Sequence, residues 1–576
     1  NYCTFGYTMP WWTWKQWERF IDWMALNGVN MPLAITGQEA VWQKVWRKYG
    51  LSDEQIRSFF TGPAHLPWQR MNNIDRWQGP LPQNWIDGQA KLQKRILRRE
   101  RKLNMKPVLP AFSGHVPAEL AEQLPDPIDT SRVRSWCKFD GKYRCTFLSS
   151  EDPIYAQIQK DFLQEQTRMY GTDHIYGVDL FNEVSPPSWE PEYLAKISSG
   201  VYESMAAVDP DAVWMQMGWL FISARRKWTP ERIEAYLTAV PQGKMILLDY
   251  EGDYVEIWRR TESFYGQKFI WCYLGNFGGM TEIEGDYHHN ARLISDSRAE
   301  GGPGFVGIGS TLEGFGVNET VYEAVLAQAW SDWSTVDEYL DNIADRHLGR
   351  EDSNFRAYWH QMADKVCITH TSTSSSSIIC VQPCLEGRGN WTTEIKRGYD
   401  IADMETALSL IEKVEGASDY FGFDLANARR QALSNKALAV RDSFTAAYKA
   451  GDRAGMASSA EEFLGICDSL ISVLRTRPEF SLADWIRDAR GWGKTAEEKD
   501  YYEMNARSII SIWGDSPYLC DYANREWDDM VESYYKVRWS RFFDAVMAAF
   551  DAGEPFDQER FDQDMWNFNC QWAHSL

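Results

Sequence analysis

Two glutamates stand directly after short apolar runs, a placement typical of acid–base chemistry. Glu183 follows the run 174–181 and ends the segment DLFNE, and Glu313 follows the run 305–308 within GSTLEGFG. The asparagine before Glu183, Asn182, can hold a substrate hydroxyl, and the glycines around Glu313 allow close backbone approach. Cleavage of a glycosidic bond needs such a pair, one proton donor and one nucleophile or base. The alternative is that both acids are surface or helix-capping residues, since the chain has 82 Asp and Glu.

The elements that must position these acids are short apolar runs that alternate with helical segments. Segments such as 14–26, 87–103 and 153–170 carry apolar residues at three- and four-residue spacing, which predicts helices. Strands that alternate with helices pair in parallel through right-handed crossovers. Seven runs have the length of buried strands: 29–35, 107–112, 174–181, 212–217, 245–248, 269–273 and 305–308.

We therefore predict an α/β fold in which residues 1–335 form a TIM-like (β/α)8 catalytic barrel. Catalytic groups in such barrels project from the carboxyl ends of the strands, where Glu183 and Glu313 stand. A barrel needs eight strands and only seven are found, so we expect the first strand to be truncated, ending at or before residue 1.

Residues 336–576 have a different pattern. Leu433, Ala437, Val440, Phe444 and Tyr448 recur at helical spacing, and similar faces occur near 401–414, 461–474 and 527–550. No convincing strand appears, which predicts an all-α helical domain. The run 371–377, TSTSSSS, predicts a loop or flexible connector within it.

Composition limits the function classes. The chain of 576 residues has a net charge of −22, which would repel nucleic acid and anionic membrane surfaces, and no apolar run is long enough to span a membrane. Its 28 Trp and 14% aromatic residues would suffice to line a saccharide cleft as well as a core. With nine His and no spaced ligand motif, we expect no metal and no cofactor.

The sequence resembles glycoside hydrolase family 89, the α-N-acetylglucosaminidases, almost from end to end. The resemblance rests on many ordered segments: 1–4 (NYCT), 23–28 (WMALNG), 37–40 (GQEA), 60–64 (FTGPA), 107–112 (PVLPAF), 171–177 (GTDHIYG), 181–183 (FNE), 218–221 (GWLF), 269–272 (FIWC), 276–279 (NFGG), 513–514 (WG) and 521–524 (DYAN). As departures from the family, we expect its small β-rich N-terminal domain to be absent and the helical domain to end early, and Gly141 stands in place of the first cysteine of a short-range disulfide.

The resemblance implies a retaining mechanism with Glu183 as general acid/base and Glu313 as nucleophile. It also implies a pocket for one terminal sugar, formed by Asn1, Cys3, Trp68, Asn182, Trp219, Trp513 and Tyr522. Trp513 and Tyr522 would come from the helical domain as it closes over the barrel mouth. Such a pocket predicts exo action. The partner would be a glycan with terminal α-linked N-acetylglucosamine, and the location extracytoplasmic: secreted or periplasmic in a bacterium, lysosomal in an animal.

Two other functions stay open. The same barrel could serve another α-glycosidase specificity, or the chain could be a non-catalytic glycan-binding fragment. The negative charge would draw a polyanionic chain poorly, which favours neutral mucin-type termini over heparan-type ones.

Overall fold

The computed structural model describes residues 1–331, 336–369, 373, 375–387 and 390–575. The chain folds into two compact units. The first contains Asn1–Leu274, Arg292–Thr311 and a short segment that begins at Val325, and the second contains Gly275–Ala291, Leu312–Ala324 and the C-terminal half. The division into domains at residues 335 and 336 stays a prediction.

The first unit is built on a parallel sheet whose strands neighbour one another in the order of the sequence. Its six strands are Leu109–Pro110, Ile175–Gly177, Val213–Met217, Met245–Asp249, Lys268–Tyr273 and Phe305–Ser310. Sequential parallel neighbours joined by helices are the pattern of a (β/α) barrel, because each crossover returns the chain to the next position along the sheet. The six strands correspond to the last six of the seven predicted runs.

The first predicted run, 29–35, is shorter than expected. Only Leu33 pairs with the sheet, in a parallel bridge to Val108, and the flanking backbone bonds of Val108 N–H to Pro32 O and of Ala34 N–H to Val108 O extend that pairing. The side chains of Val108, Ile175, Met215 and Ile246 form one buried cluster. Since they come from successive strands, they fill the sheet's inner face as a barrel layer does.

Helices alternate with these strands along residues 1–331. Several begin where the sequence offers a cap: the Asp152 carboxylate accepts a hydrogen bond from Ile154 N–H, and Pro153 occupies the first helical position. These helices are Thr4–Tyr7, Trp14–Leu26, Gln38–Lys48, Asp53–Phe59, Leu66–Arg70, Gln83–Lys102, Leu120–Gln123, Pro153–Tyr170, Pro191–Ala206, Trp219–Ser223, Pro230–Thr238, Ile257–Arg260, Glu262–Tyr265, Tyr287–Glu300 and Glu319–Ala327. A small antiparallel sheet, not predicted, joins His115–Val116, Thr130–Arg132 and Thr146–Leu148.

The C-terminal half is helical, as predicted. Its α-helices are Asp337–Leu348, Ser353–Gln361, Ile401–Ile411, Asp419–Ala450, Arg453–Leu474, Leu482–Arg490, Ala496–Ile509, Asp528–Met530, Lys536–Asp551 and Gln558–His574. One two-residue strand, Ile368–Thr369, pairs with Gly285–Asp286. In the predicted connector 371–377, positions 371, 372 and 374 lie outside the described residues, whereas Ser375, Ser376 and Ser377 are buried. That part of the run is a packed loop.

Candidate active site

Glu183 lies shortly after the strand Ile175–Gly177, in a segment tied to the next strand. The Asp179 carboxylate accepts hydrogen bonds from the Gln216 amide at 2.9 Å and from Met217 N–H at 3.0 Å. Burial raises the pKa of Asp179 to about 7. The predicted strand 174–181 therefore ends early, and a loop held by Asp179 brings Glu183 to the carboxyl edge of the sheet.

Three N–H groups donate to the exposed Glu183 carboxylate. Trp219 Nε1 lies 2.9 Å from Oε1, and Asn73 Nδ2 lies 2.9 Å from Oε2. Trp136 Nε1 also donates to Oε2. The donors come from three separate segments of the chain, so the carboxylate is fixed from several sides while its exposure leaves it open to solvent.

The three donors are themselves supported by local structure. Trp219 begins a helix after the strand Val213–Met217, and Gly218 permits the turn because a Cβ there would lie 2.5 Å from Leu248 O. Asn73 is 1% exposed and follows Asn72, whose φ is +65°. Trp136 stacks on Phe139 with ring centroids 6.1 Å apart.

Glu313 follows the strand Phe305–Ser310 and is half-buried. Its Oε2 accepts hydrogen bonds from Gly278 N–H at 2.8 Å and from the Tyr522 hydroxyl at 3.0 Å. Its own N–H donates to Asn276 O at 3.1 Å. Gly278 has a φ of +70°, and a Cβ there would lie 2.7 Å from Tyr522 O, so only glycine fits this approach.

Tyr522 is held by a buried ion pair at the preceding residue. Asp521, with a φ of +60°, accepts hydrogen bonds from Arg538 Nη1 at 2.6 Å and from the Tyr534 hydroxyl at 3.0 Å. Both side chains of the ion pair are at most 1% exposed. The turn that carries Tyr522 to Glu313 is therefore anchored in the interior of its unit.

The remaining predicted binding residues have other surroundings. Asn1 donates through Nδ2 to Thr311 O at 2.7 Å and accepts from Cys3 N–H at 2.9 Å, which links the start of the chain to the residue after the last strand. Cys3 and Trp68 are buried, and Trp68 packs edge-on against Tyr7 with ring centroids 4.8 Å apart.

Asn182 and Trp513 are also buried. Asn182 donates to Met71 Sδ at 3.6 Å, a weak acceptor. Trp513 is 1% exposed and has a φ of +58°. Burial on this scale indicates that Trp513→Ala would open a cavity costing about 3–5 kcal/mol of stability. The structure thus brings Trp219 to Glu183 and Tyr522 to Glu313, while the sugar-binding roles of all seven residues stay predictions.

Sequence reasoning missed three groups that bond to the glutamates: Asn73, Trp136 and the backbone N–H of Gly278. Asn73 and Trp136 stand in loops far from Glu183 in sequence, with no spacing that marks them. Gly278 lies in the segment NFGG that carries the resemblance, so its paired glycines were the available signal.

Two groups among the described residues have the donor types of a metal site. Asp75, His115 and Cys145 are buried together, with His115 Nε2 2.6 Å from Asp75 Oδ1, and His174 lies beside Asp209 and Asp211. The expectation that no metal is needed stays a prediction. Within the described part of the chain, no helix is both long enough and apolar enough to cross a membrane.

Comparison with known proteins covers the whole chain. The model of the α-N-acetylglucosaminidase TIM-barrel domain matches residues 1–332, and that of the family's C-terminal domain matches residues 339–576. A human α-N-acetylglucosaminidase is 37% identical over 98% of this chain and 77% of its own length.

Two solved structures are similar to this chain over its whole length. A family 89 glycoside hydrolase from Clostridium perfringens in complex with PUGNAc has a TM-score of 0.91 and 28% identity, covering 100% of this chain. The same Clostridium enzyme with two glutamates replaced by glutamine, in complex with its substrate GlcNAc-α-1,4-galactose, has a TM-score of 0.90 and 27% identity. This chain spans 65% and 66% of those two chains.

These matches confirm the predicted architecture of a TIM barrel followed by a helical domain, and the predicted resemblance. Both family models match in order, and together they cover more than half of the chain. The chain belongs to the α-N-acetylglucosaminidase family, glycoside hydrolase family 89.

Proposed function

We propose that the chain is an exo-acting, retaining α-N-acetylglucosaminidase that removes terminal α-linked N-acetylglucosamine from a glycan. Residues 1–335 would form the catalytic barrel that supplies Glu183 and Glu313. Residues 336–576 would form the helical domain that supplies Trp513 and Tyr522. The observation that carries the proposal is the fixed position of Glu313 Oε2, which accepts from the Tyr522 hydroxyl and from Gly278 N–H.

Substrate chemistry supports a protein nucleophile. In α-linked N-acetylglucosamine, the 2-acetamido group lies on the same face as the leaving group and cannot attack the anomeric carbon from behind. A retaining reaction therefore needs a protein carboxylate, which forms a covalent glycosyl-enzyme that water then hydrolyses. Glu313, positioned by two donors, fits this role.

Glu183 fits the acid/base role. It would give its proton to the glycosidic oxygen in the first step and recover one from the attacking water in the second, so water must reach it once the leaving group has departed. Its exposure permits the approach of that water, and its three N–H donors orient the carboxylate.

We favour a neutral, mucin-type glycan terminus over a heparan-type one. The net charge of −22 opposes the approach of a polyanion. The neutral disaccharide GlcNAc-α-1,4-galactose, bound to the Clostridium relative, supports the same choice. An extracytoplasmic location is consistent with such a substrate.

Azide rescue of the two glutamate variants tests the assignment. On an activated aryl α-N-acetylglucosaminide, Glu313→Ala with azide should give the β-glycosyl azide by one inverting attack. Glu183→Ala should still form the glycosyl-enzyme, which azide then converts to the α-azide. A retaining site holds its carboxyl groups roughly 5–5.5 Å apart, which leaves room for the small anion.

The products are identified by NMR of the anomeric proton. Glu190→Ala is the matched control, since Glu190 is exposed and directly precedes the helix Pro191–Ala206. Opposite anomers would exchange the two roles, and full activity in either variant would remove that residue from the mechanism. An unaltered chain inactive on aryl α-N-acetylglucosaminides but active on other aryl α-glycosides would establish a different specificity. Inactivity on the whole panel would favour the glycan-binding fragment.

A further inference from the structure

Trp391 is a large aromatic side chain that remains 39% exposed in the second unit. It begins the short turn Trp391–Thr393. Among the described residues, Trp330 and Trp391 are the only Trp side chains that are exposed, and burial of so large an apolar surface is the ordinary outcome of folding. An indole that stays at the surface near Glu313, the proposed nucleophile, therefore suggests a functional role.

The turn that carries Trp391 is fixed to the segment just before Tyr522. Trp391 Nε1 donates to Tyr518 O at 2.9 Å, and Asn390 Nδ2 donates to Pro517 O at 3.0 Å. The Thr392 hydroxyl donates to Cys520 O at 2.6 Å. Because the indole N–H bonds to the backbone, the exposed part of the side chain presents a rigid apolar face of set orientation.

The Trp391 ring neighbours Tyr522, the residue whose hydroxyl contacts Glu313. The ring centroids of Trp391 and Tyr522 are 6.0 Å apart, and the Tyr522 hydroxyl lies 3.0 Å from Glu313 Oε2. Tyr518 extends the aromatic surface, its centroid 5.3 Å from that of Trp391. An oriented aromatic surface thus begins next to the proposed nucleophile and leads outward to solvent.

We propose that Trp391 is the platform for the leaving-group sugar, the ring joined to the terminal N-acetylglucosamine through the scissile bond. This rests on the proposed function. A nucleophile contacts the anomeric carbon of the terminal sugar, so the next ring lies about one sugar length away. The C–H face of a neutral hexose stacks on an indole without needing a charged partner.

Two substrates with the same terminal sugar separate this role from all others. One is GlcNAc-α-1,4-galactose, and the other is α-N-acetylglucosaminyl fluoride, which has no leaving-group sugar. Trp391→Ala should lower kcat/KM about tenfold on the disaccharide and leave the fluoride within twofold, because only the disaccharide reaches the platform. Trp391→Phe keeps an apolar ring and should retain most of the disaccharide rate.

The control is Tyr420→Ala, which removes an exposed ring that stacks on His347. Equal losses by Trp391→Ala on both substrates, or unchanged rates on both, would overturn the platform. An equally large loss in Trp391→Phe would also overturn it, since the aromatic face would then not matter. Failure of the unaltered protein on both substrates would instead contradict the proposed function.

Discussion

The surroundings of the two glutamates differ in what holds each carboxylate. Glu183 is exposed and accepts from three side-chain N–H groups on separate segments of the first unit. Glu313 is half-buried and accepts from a backbone N–H and a tyrosine hydroxyl of the second unit. Side-chain donors can rotate about their own bonds, whereas the backbone N–H of Gly278 moves only when the main chain moves.

The two sites also differ in the buried polar pairs that lie near the donors of each glutamate. Behind the Tyr522 turn is the ion pair of Asp521 with Arg538, with both charges buried. Near Asn73 are Asp75 and His115, a buried hydrogen-bonded pair. A nucleophile must hold its attack geometry closely, while an acid/base must also reach water. The two environments are consistent with the roles proposed for Glu313 and Glu183.

The largest expected effect is on kcat/KM of the two glutamate variants, which should depend differently on the leaving group of the substrate. Glu183→Ala should lower kcat/KM about 10²–10⁴-fold on GlcNAc-α-1,4-galactose but little on the 2,4-dinitrophenyl glycoside, because only the poor leaving group needs a proton. Glu313→Ala should lose activity on both substrates. Steady-state kinetics with Glu190→Ala as control measures this. Equal losses by Glu183→Ala on both substrates would contradict the acid/base role.

The next effect concerns the ion pair behind Tyr522. Arg538→Met leaves the Asp521 carboxylate buried without its partner, which should lower the free energy of unfolding by about 3–5 kcal/mol. Arg47→Met, which removes a half-exposed pair with Asp53, should cost at most about 1 kcal/mol. Urea denaturation followed by circular dichroism measures both. If the two variants unfold at the same urea concentration, the anchor assigned to Asp521 and Arg538 does not exist.

A smaller effect compares single donors to the two carboxylates. Tyr522→Phe removes one hydrogen bond to Glu313. It should lower kcat/KM by an amount equivalent to about 1.5–3 kcal/mol of transition-state stabilisation, the range for hydrogen bonds to charged groups. Trp219→Phe should cost less, since Glu183 keeps two other donors and access to water. Trp219→Ala also removes the ring and should cost on the order of 1–3 kcal/mol without unfolding the chain.

The check for these donors is the ratio of kcat/KM to that of the unaltered protein, with thermal unfolding as the control for folding. A larger loss in Trp219→Phe than in Tyr522→Phe would reverse the comparison, because the exposed carboxylate would then depend more on its donors.

The smallest expected effect is that of metal removal. Activity should be unchanged after dialysis against EDTA, because the proposed mechanism uses only protonation and covalent attack by the two glutamates. Loss of activity that a divalent ion restores would contradict this. It would direct attention to Asp75, His115 and Cys145, the buried donor cluster near Asn73.

The sequence alone determined the elements and their order. Apolar runs of strand length between helical segments predicted six of the observed parallel strands, because strands covered on both faces must be continuously apolar. The run 29–35 was overestimated, since apolar character is also shared by residues that pack without pairing. Glu183 and Glu313 could be proposed as catalytic from the sequence because catalytic side chains in a barrel follow strand ends, a property readable from local spacing.

Only the tertiary structure decided which groups contact these acids. Asn73 and Trp136 are distant from Glu183 in sequence, and no local pattern pairs a loop amide with a carboxylate more than a hundred residues away. The sequence also carried no sign of exposure: Trp513 is buried and Trp391 is exposed, although both lie outside the α-helices of the C-terminal half. Burial depends on how many other segments cover a residue, and that number is set by long-range packing.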